Sequence, residues 1–281
     1  MATENNAPSM LDLLSPERRK SLISLFGDKY ARQMMGPIAF IDEGKLSSPT
    51  AINFFRRDFP FISRVLSYEY QYRSWSGFDQ SLLDRYSELI TKKLNSIEVL
   101  LTNWNNRFTK LLEQNGVKVD GAVYSNAVTM SVPIISGHAR VYYQILQSLD
   151  QLNLVAGTAN LYGVINATQR AEAEFMCKKA VRAFSAALRN EVVRIYREAE
   201  RLMREQSGKG EVDPAKVAAH KEQGKDISAF SAEITKDGGD IEDPSAVIDN
   251  VSAATAAASA AEAAKSPAKR PAKKAATTET A

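Results

Sequence analysis

The chain of 281 residues carries 36 Lys and Arg against 33 Asp and Glu, and a formal charge of +3 argues for nucleic acid only where the charges cluster. Its 25% charged and 8% aromatic residues suit a soluble protein with a real core, and its one cysteine, Cys177, excludes an internal disulfide framework. No run of about 18 apolar residues is present to span a membrane, and the first residues lack the regions of a signal peptide, so a cytoplasmic chain without a membrane partner is expected.

Residues 1–14 form a polar lead with one apolar patch at 10–14. Ser15, Pro16 and Glu17 predict a helix start, as cap, first helical residue and acid at the positive end, with a stop near Gly27. Residues 34–49 hold Gly36, Pro37, Gly44 and Pro49 and predict a loop around one apolar run at 38–41. From Ala51 to Tyr72 the apolar residues predict a helix broken near Phe59 and Pro60, because the residue before proline avoids helical angles. Arg56, Arg57 and Arg64, interspersed there among aromatics, invite a nucleic-acid reading, and the favoured expectation is a solvated face opposite the core.

Residues 75–77 predict a turn. Leu83, Tyr86, Ile90, Leu94, Ile97, Leu101, Trp104, Phe108 and Leu111 then recur at spacings of three and four, predicting a long helix capped by Gly116. Such a helix needs a partner, and the long helix from Thr168 is the natural one. Val128, Met130, Val132 and Ile134 alternate with Thr129, Ser131 and Pro133, the period of a half-buried strand, and Pro133 places it at a sheet edge. Its partner is either the run 117–119 or its own copy in a second chain.

After Gly137 the period changes, and Val141, Ile145, Leu149 and Leu152 predict a helix to about Val155, weakened at Ala156 and Gly157. From Thr168, Cys177, Val181, Phe184, Leu188, Val192, Ile195, Ala199 and Leu202 form one apolar stripe, which makes Cys177 a packing residue. Beyond Gln206, Gly208, Gly210, Pro214, Gly224, Gly238, Gly239 and Pro244 interrupt any period, and the basic, Pro/Ala-rich end cannot bury enough surface to fold. Three segments are expected: 1–48, an N-terminal helix and loop; 49–205, a helical core; and 206–281, a disordered Ala/Pro/Lys-rich tail.

The residue types of catalysis are scarce. His138 and His220 are the only histidines, no closely spaced metal-ligand set exists, and no phosphate-binding, dinucleotide or nucleophile-elbow motif is present. No enzyme activity, cofactor or small-molecule substrate is therefore expected. What remains is basic clustering. Arg194, Arg197, Arg201 and Arg204 share a helix face with Glu191, Glu198 and Glu200 close enough to neutralise them, and Lys178, Lys179 and Arg182 cluster earlier. Lys265, Lys269, Arg270, Lys273 and Lys274 fall within ten residues and would hold phosphates without reading sequence.

Three stretches carry a resemblance: Ala51-Ile52-Asn53-Phe54-Phe55 through Leu66, the helix from Leu82 and Leu83, and the strand Val128 to Ile134 followed by Tyr142-Tyr143-Gln144-Ile145-Leu146-Gln147-Ser148-Leu149-Asp150. Over about residues 49–205 the chain resembles the AcaB family of regulators encoded by conjugative plasmids and integrative conjugative elements. The resemblance implies a mainly α fold with a small β-ribbon, a homodimer, and a module similar to ribbon-helix-helix proteins in which each of two chains gives one strand. It implies a regulator, by expectation an activator, of transfer genes, bound to double-stranded DNA and nucleoid-associated. Thr129 and Ser131 would then read bases, Val128, Met130, Val132 and Ile134 would face a dimer core, and Arg140, Lys178, Lys179 and Arg182 would hold phosphates. The rival reading is a scaffolding protein of a mobile element or phage that binds protein partners through its long helices.

Overall fold

Polar side chains fix where the core helices begin. Ser48 Oγ accepts from the Ala51 N–H at 3.3 Å, Asp79 accepts from the N–H groups of Ser81 and Leu82, and Ser136 Oγ accepts from the Ala139 N–H at 3.1 Å. The computed structural model describes residues 15–26, 40–118, 122–125, 127–207, 214–236 and 247–248. Over these the order is α1 (Pro16–Phe26), β1 (Phe40–Leu46), α2 (Pro49–Arg57), α3 (Phe59–Arg73), α4 (Gln80–Gln114), β2 (Val128–Ile134), α5 (Gly137–Leu161), α6 (Ala167–Ser207) and α7 (Pro214–Lys236). The chain is thus mostly helical with one two-stranded antiparallel sheet.

α5 is the central helix. Leu146, Leu149, Leu152, Val155, Ala156 and Ala159 are all fully buried along it. α4 lies mainly against α5 and only secondarily against α6, the partner its length suggested. α4 ends as expected, with Gly116 at φ +73. α5 runs past Ala156 and Gly157 and stops at Tyr162, followed by Gly163 at φ +70. A helical glycine costs about 1 kcal/mol, and the burial of its neighbours exceeds that. The break between α2 and α3 falls at Asp58, where the buried carboxylate is gripped by both Arg57 Nε at 2.5 Å and Nη2 at 2.9 Å.

The stretch 40–46, expected as loop, is a strand. β1 pairs antiparallel with β2 from Phe40 opposite Ile134 to Leu46 opposite Val128. The partner is therefore neither the run 117–119 nor a second chain, and the ribbon is completed within one protomer rather than by two. Gly44 gave the loop signal, but its real role is clearance: a Cβ there would overlap the Tyr143 hydroxyl and ring. Both strands are sheet edges, which suits Pro133. The alternation holds from Val128 to Val132 and fails at Pro133, which is buried.

The second correction concerns the segment after 206, which is not disordered throughout. α7 packs on α6 and α3. His220, Gln223, Ile227, Phe230 and Ile234 recur at spacings of three and four, and all are buried. The His220 ring stacks on Tyr196 at 4.0 Å and 6°, Phe230 on Phe61 at 6.1 Å, and Tyr68 Oη donates to Asp226 at 2.8 Å. Arg64, expected in solvent, is largely buried and reaches Asp226 at 3.5 Å. Two polar members of the stripe and Gly224 hide it in the sequence. Gly224 lets Tyr196 approach, since a Cβ would lie 2.5 Å from its hydroxyl. Residues 249–281, with the basic tail, lie outside the described residues.

The two helical glycines should respond oppositely to alanine. At Gly157 a Cβ meets nothing nearer than Arg170 Cζ at 3.9 Å, so Gly157→Ala should raise stability by about 0.5–1 kcal/mol. At Gly224 the same gain meets an overpacking cost of about 1–3 kcal/mol, so Gly224→Ala should lower the melting temperature and speed amide exchange across α7 first. His220 gives a pH signature. Burial lowers its pKa below 6.5, Glu200 opposes this weakly, and Nε2 has no hydrogen-bond partner. The folded value is thus below the unfolded one, so the contribution is complete above the unfolded value and is lost as pH falls. The protection of α7 amides relative to their intrinsic exchange rate should therefore fall on acidification below about pH 6.5, and His220→Gln should flatten that dependence.

Candidate nucleic-acid interface

The antiparallel register decides which side chains share the outer face of the ribbon. Glu43 lies opposite Ser131 and Lys45 opposite Thr129, so these four residues form one face. Glu43, Lys45 and Thr129 are exposed and Ser131 is half-buried. The other face carries Gly44, Leu46, Val128, Met130 and Val132, and it packs on this chain's own core rather than on a dimer core. The outer face thus offers two hydroxyls, one ammonium and one carboxylate. Hydroxyls pair with either donors or acceptors, Lys suits guanine O6 and N7, and a carboxylate accepts from the cytosine amino group. Its side chains sum to zero charge, so the face offers hydrogen-bonding groups without net attraction for an anion.

The basic residues singled out in the sequence separate into three groups. Arg140, in the first turn of α5, and Lys179, on α6, are exposed. Lys178 and Arg182 are half-buried and line a cleft of about 240 Å³ with Thr50, Asn53, Phe54 and Arg57 of α2. Lys265, Lys269, Arg270, Lys273 and Lys274 lie outside the described residues. The arginine row on α6 is mostly neutralised: Arg194 meets Glu191 at 2.8 Å, Arg201 meets Glu198 at 2.5 Å and Glu205 at 2.6 Å, and Arg204 meets Glu200 at 2.8 Å. Those exposed pairs contribute little stability.

Glu43, Lys45, Thr50 and Asn53 are candidate residues that sequence reasoning passed over, and Arg57 was favoured there only for a solvated face. The two on β1 disappear once 40–46 is taken as loop. The three on α2 had a signal: Thr50, Asn53 and Arg57 stand at i, i+3 and i+7, one face of a helix. What the spacing does not give is the basic face of α6 opposite.

Asp150 of α5 positions this region. Its carboxylate accepts from the Ser47 N–H at 3.0 Å and the Ser48 N–H at 2.5 Å, and Asn153 Nδ2 donates to Ser48 Oγ at 3.2 Å. The link from β1 into α2 is thereby held on the central helix, and the positive end of α2 already has its anion. Elsewhere, burial pushes the Cys177 thiol up to about 12, which leaves it an inert packing residue. Among the described residues no group of three or more His, Cys, Asp or Glu could hold a metal ion, and no helix is long and apolar enough to cross a membrane.

No family model matches the sequence, and no curated protein matches it. A solved structure does match: the chain is similar to AcaB from uropathogenic E. coli, with a TM-score of 0.55 and 19% identity. The likeness covers 68% of this chain and 98% of that one. At this identity it is a likeness of fold, and the chain has an AcaB-like fold.

Proposed function

We propose that the chain is a non-enzymatic regulator of transcription that binds double-stranded DNA, acting as a homodimer on conjugative transfer genes, as an activator. The observation that carries this reading is the outer face of the ribbon, where Glu43, Lys45, Thr129 and Ser131 present base-pairing chemistry on a two-stranded element. An antiparallel ribbon is narrow enough to enter the major groove. The AcaB-like fold supports the same reading, through the function that the family resemblance implies. Because the reading face has no net charge, phosphate contacts must come from beside it. Arg140 and Lys179, both exposed, supply them in the folded part, and the five cations of 265–274 add affinity for any sequence.

The test is fluorescence anisotropy on duplex DNA from upstream of neighbouring transfer genes and on a scrambled duplex, at two salt concentrations. Thr129→Ala with Ser131→Ala should narrow the ratio between the two duplexes by about 1–3 kcal/mol for each base that is no longer read. Equal weakening on both duplexes would remove the ribbon from base reading.

Deleting 249–281 should act differently, weakening both duplexes alike and reducing the slope of log K against log salt by about 0.9 for each phosphate released. The cut belongs after Ile248 because a cut at 206 removes α7 and one just before Ile248 removes that buried residue. Binding that never distinguishes the duplexes, with or without the tail, would favour the scaffolding protein.

A further inference from the structure

Two rungs of the ribbon are open on its outer face, and each carries one charge. Glu43 stands opposite Ser131 and Lys45 opposite Thr129, and the next outward residue of β2, Pro133, is buried. Glu43 and Lys45 lie two apart on one strand, both exposed, and their side chains form no ion pair with each other or with another described residue. We propose, on the reading of the chain as a binder of double-stranded DNA, that a single protomer reads a short half-site, with Glu43 selecting cytosine and Lys45 selecting a guanine two base pairs away.

A carboxylate only accepts hydrogen bonds, and the major groove offers it two donors, the amino groups of cytosine and adenine. Beside the adenine amino group stands N7, whose lone pair repels an anion, so Glu43 favours cytosine. An ammonium only donates, and guanine presents two acceptors together, O6 and N7. The Ser131 and Thr129 hydroxyls both donate and accept, so they add contacts while the charged pair sets the sharper preference. Spacing follows from the strand. Outward residues of β1 stand about 6.6 Å apart, and two base-pair steps cover about 6.8 Å. A strand lying along the groove thus puts Glu43 and Lys45 over base pairs separated by two steps. The number of chains follows from the pairing. Both strands belong to one chain, and Leu46, Val128, Met130 and Val132 on the inner face pack on that chain's own core. No second copy is needed to build the reading face. A homodimer therefore carries two such faces and meets the element twice, as an inverted repeat.

The experiment selects duplexes from a random-sequence pool with the full chain and with its Glu43→Gln and Lys45→Ala variants. Both residues are exposed, so the three proteins should share one melting temperature. The wild-type chain should enrich a cytosine and a guanine two base pairs apart. Glu43→Gln should replace that cytosine by adenine, whose N6 and N7 a carboxamide pairs with, and should prefer it about tenfold, reversing the wild-type order. Lys45→Ala should keep the cytosine and lose the guanine. A changed base preference cannot arise from misfolding, which only weakens binding. On a duplex holding one copy of the enriched element, sedimentation should find one chain per duplex with the preference intact. Three results would overturn the proposal while leaving a regulator that reads DNA in another way. These are a preference that needs two chains on one element, variants that leave the enriched sequence unaltered, and changes not separated by two base pairs. A wild-type chain that enriches no sequence would overturn base reading itself, and the half-site with it.

Discussion

The carboxylate of Asp150 is the constraint on which the functional half of the molecule depends. It takes two consecutive backbone N–H groups, Ser47 and Ser48, at the point where the chain leaves β1 and enters α2. Ser48 is almost fully buried, so a missing acceptor there would leave a desolvated donor, at a cost of about 1–3 kcal/mol. The same junction orients two surfaces. Upstream it sets the direction of β1 and so the pairing of Lys45 with Thr129. Downstream it sets the face of α2 that Thr50, Asn53 and Arg57 share. Since Asp150 sits on the central helix, neither surface can shift without disturbing the centre of the core.

Helical periodicity made most of the fold legible. The apolar stripes of α4 and α6 gave those helices their positions, and the alternation from Val128 to Val132 gave β2. What periodicity did not resolve was glycine. Gly44, Gly157 and Gly224 are identical as letters, and each weakens a local pattern. In the structure they differ in kind: Gly44 and Gly224 clear space for tyrosine rings, and Gly157 is merely tolerated in a buried helix. Whether a glycine breaks an element or admits a neighbour depends on a residue about a hundred positions away, Tyr143 for Gly44, or twenty-eight away, Tyr196 for Gly224. For that reason β1 was lost to a loop and α7 to a tail.

The candidate site was legible in the same uneven way. Alternation placed Thr129 and Ser131 on the polar face of a half-buried strand, and their candidacy as base readers came from the family resemblance. Lys178 and Arg182 were visible as charges, but the cleft they share with Arg57 is a tertiary fact. Arg194, Arg201 and Arg204 looked as basic in sequence and are neutralised by glutamates within one turn. Charge density along a helix therefore overstates how much is available to a partner, and the distance to the nearest carboxylate corrects it.

Ile248, fully buried, fixes the last described point of the chain to the folded body. Sixteen residues, 249–264, separate it from Lys265, and the chain between the two reaches at most about 60 Å. The basic segment is thus confined to a sphere around one anchored point on the protein. A duplex seated on the ribbon within that sphere meets the segment at an effective concentration set by the tether rather than by the concentration of protein in solution. If the chain binds DNA as proposed, the ribbon and the basic segment would act as one bivalent ligand, and the length between Ile248 and Lys265 would become a determinant of affinity in its own right.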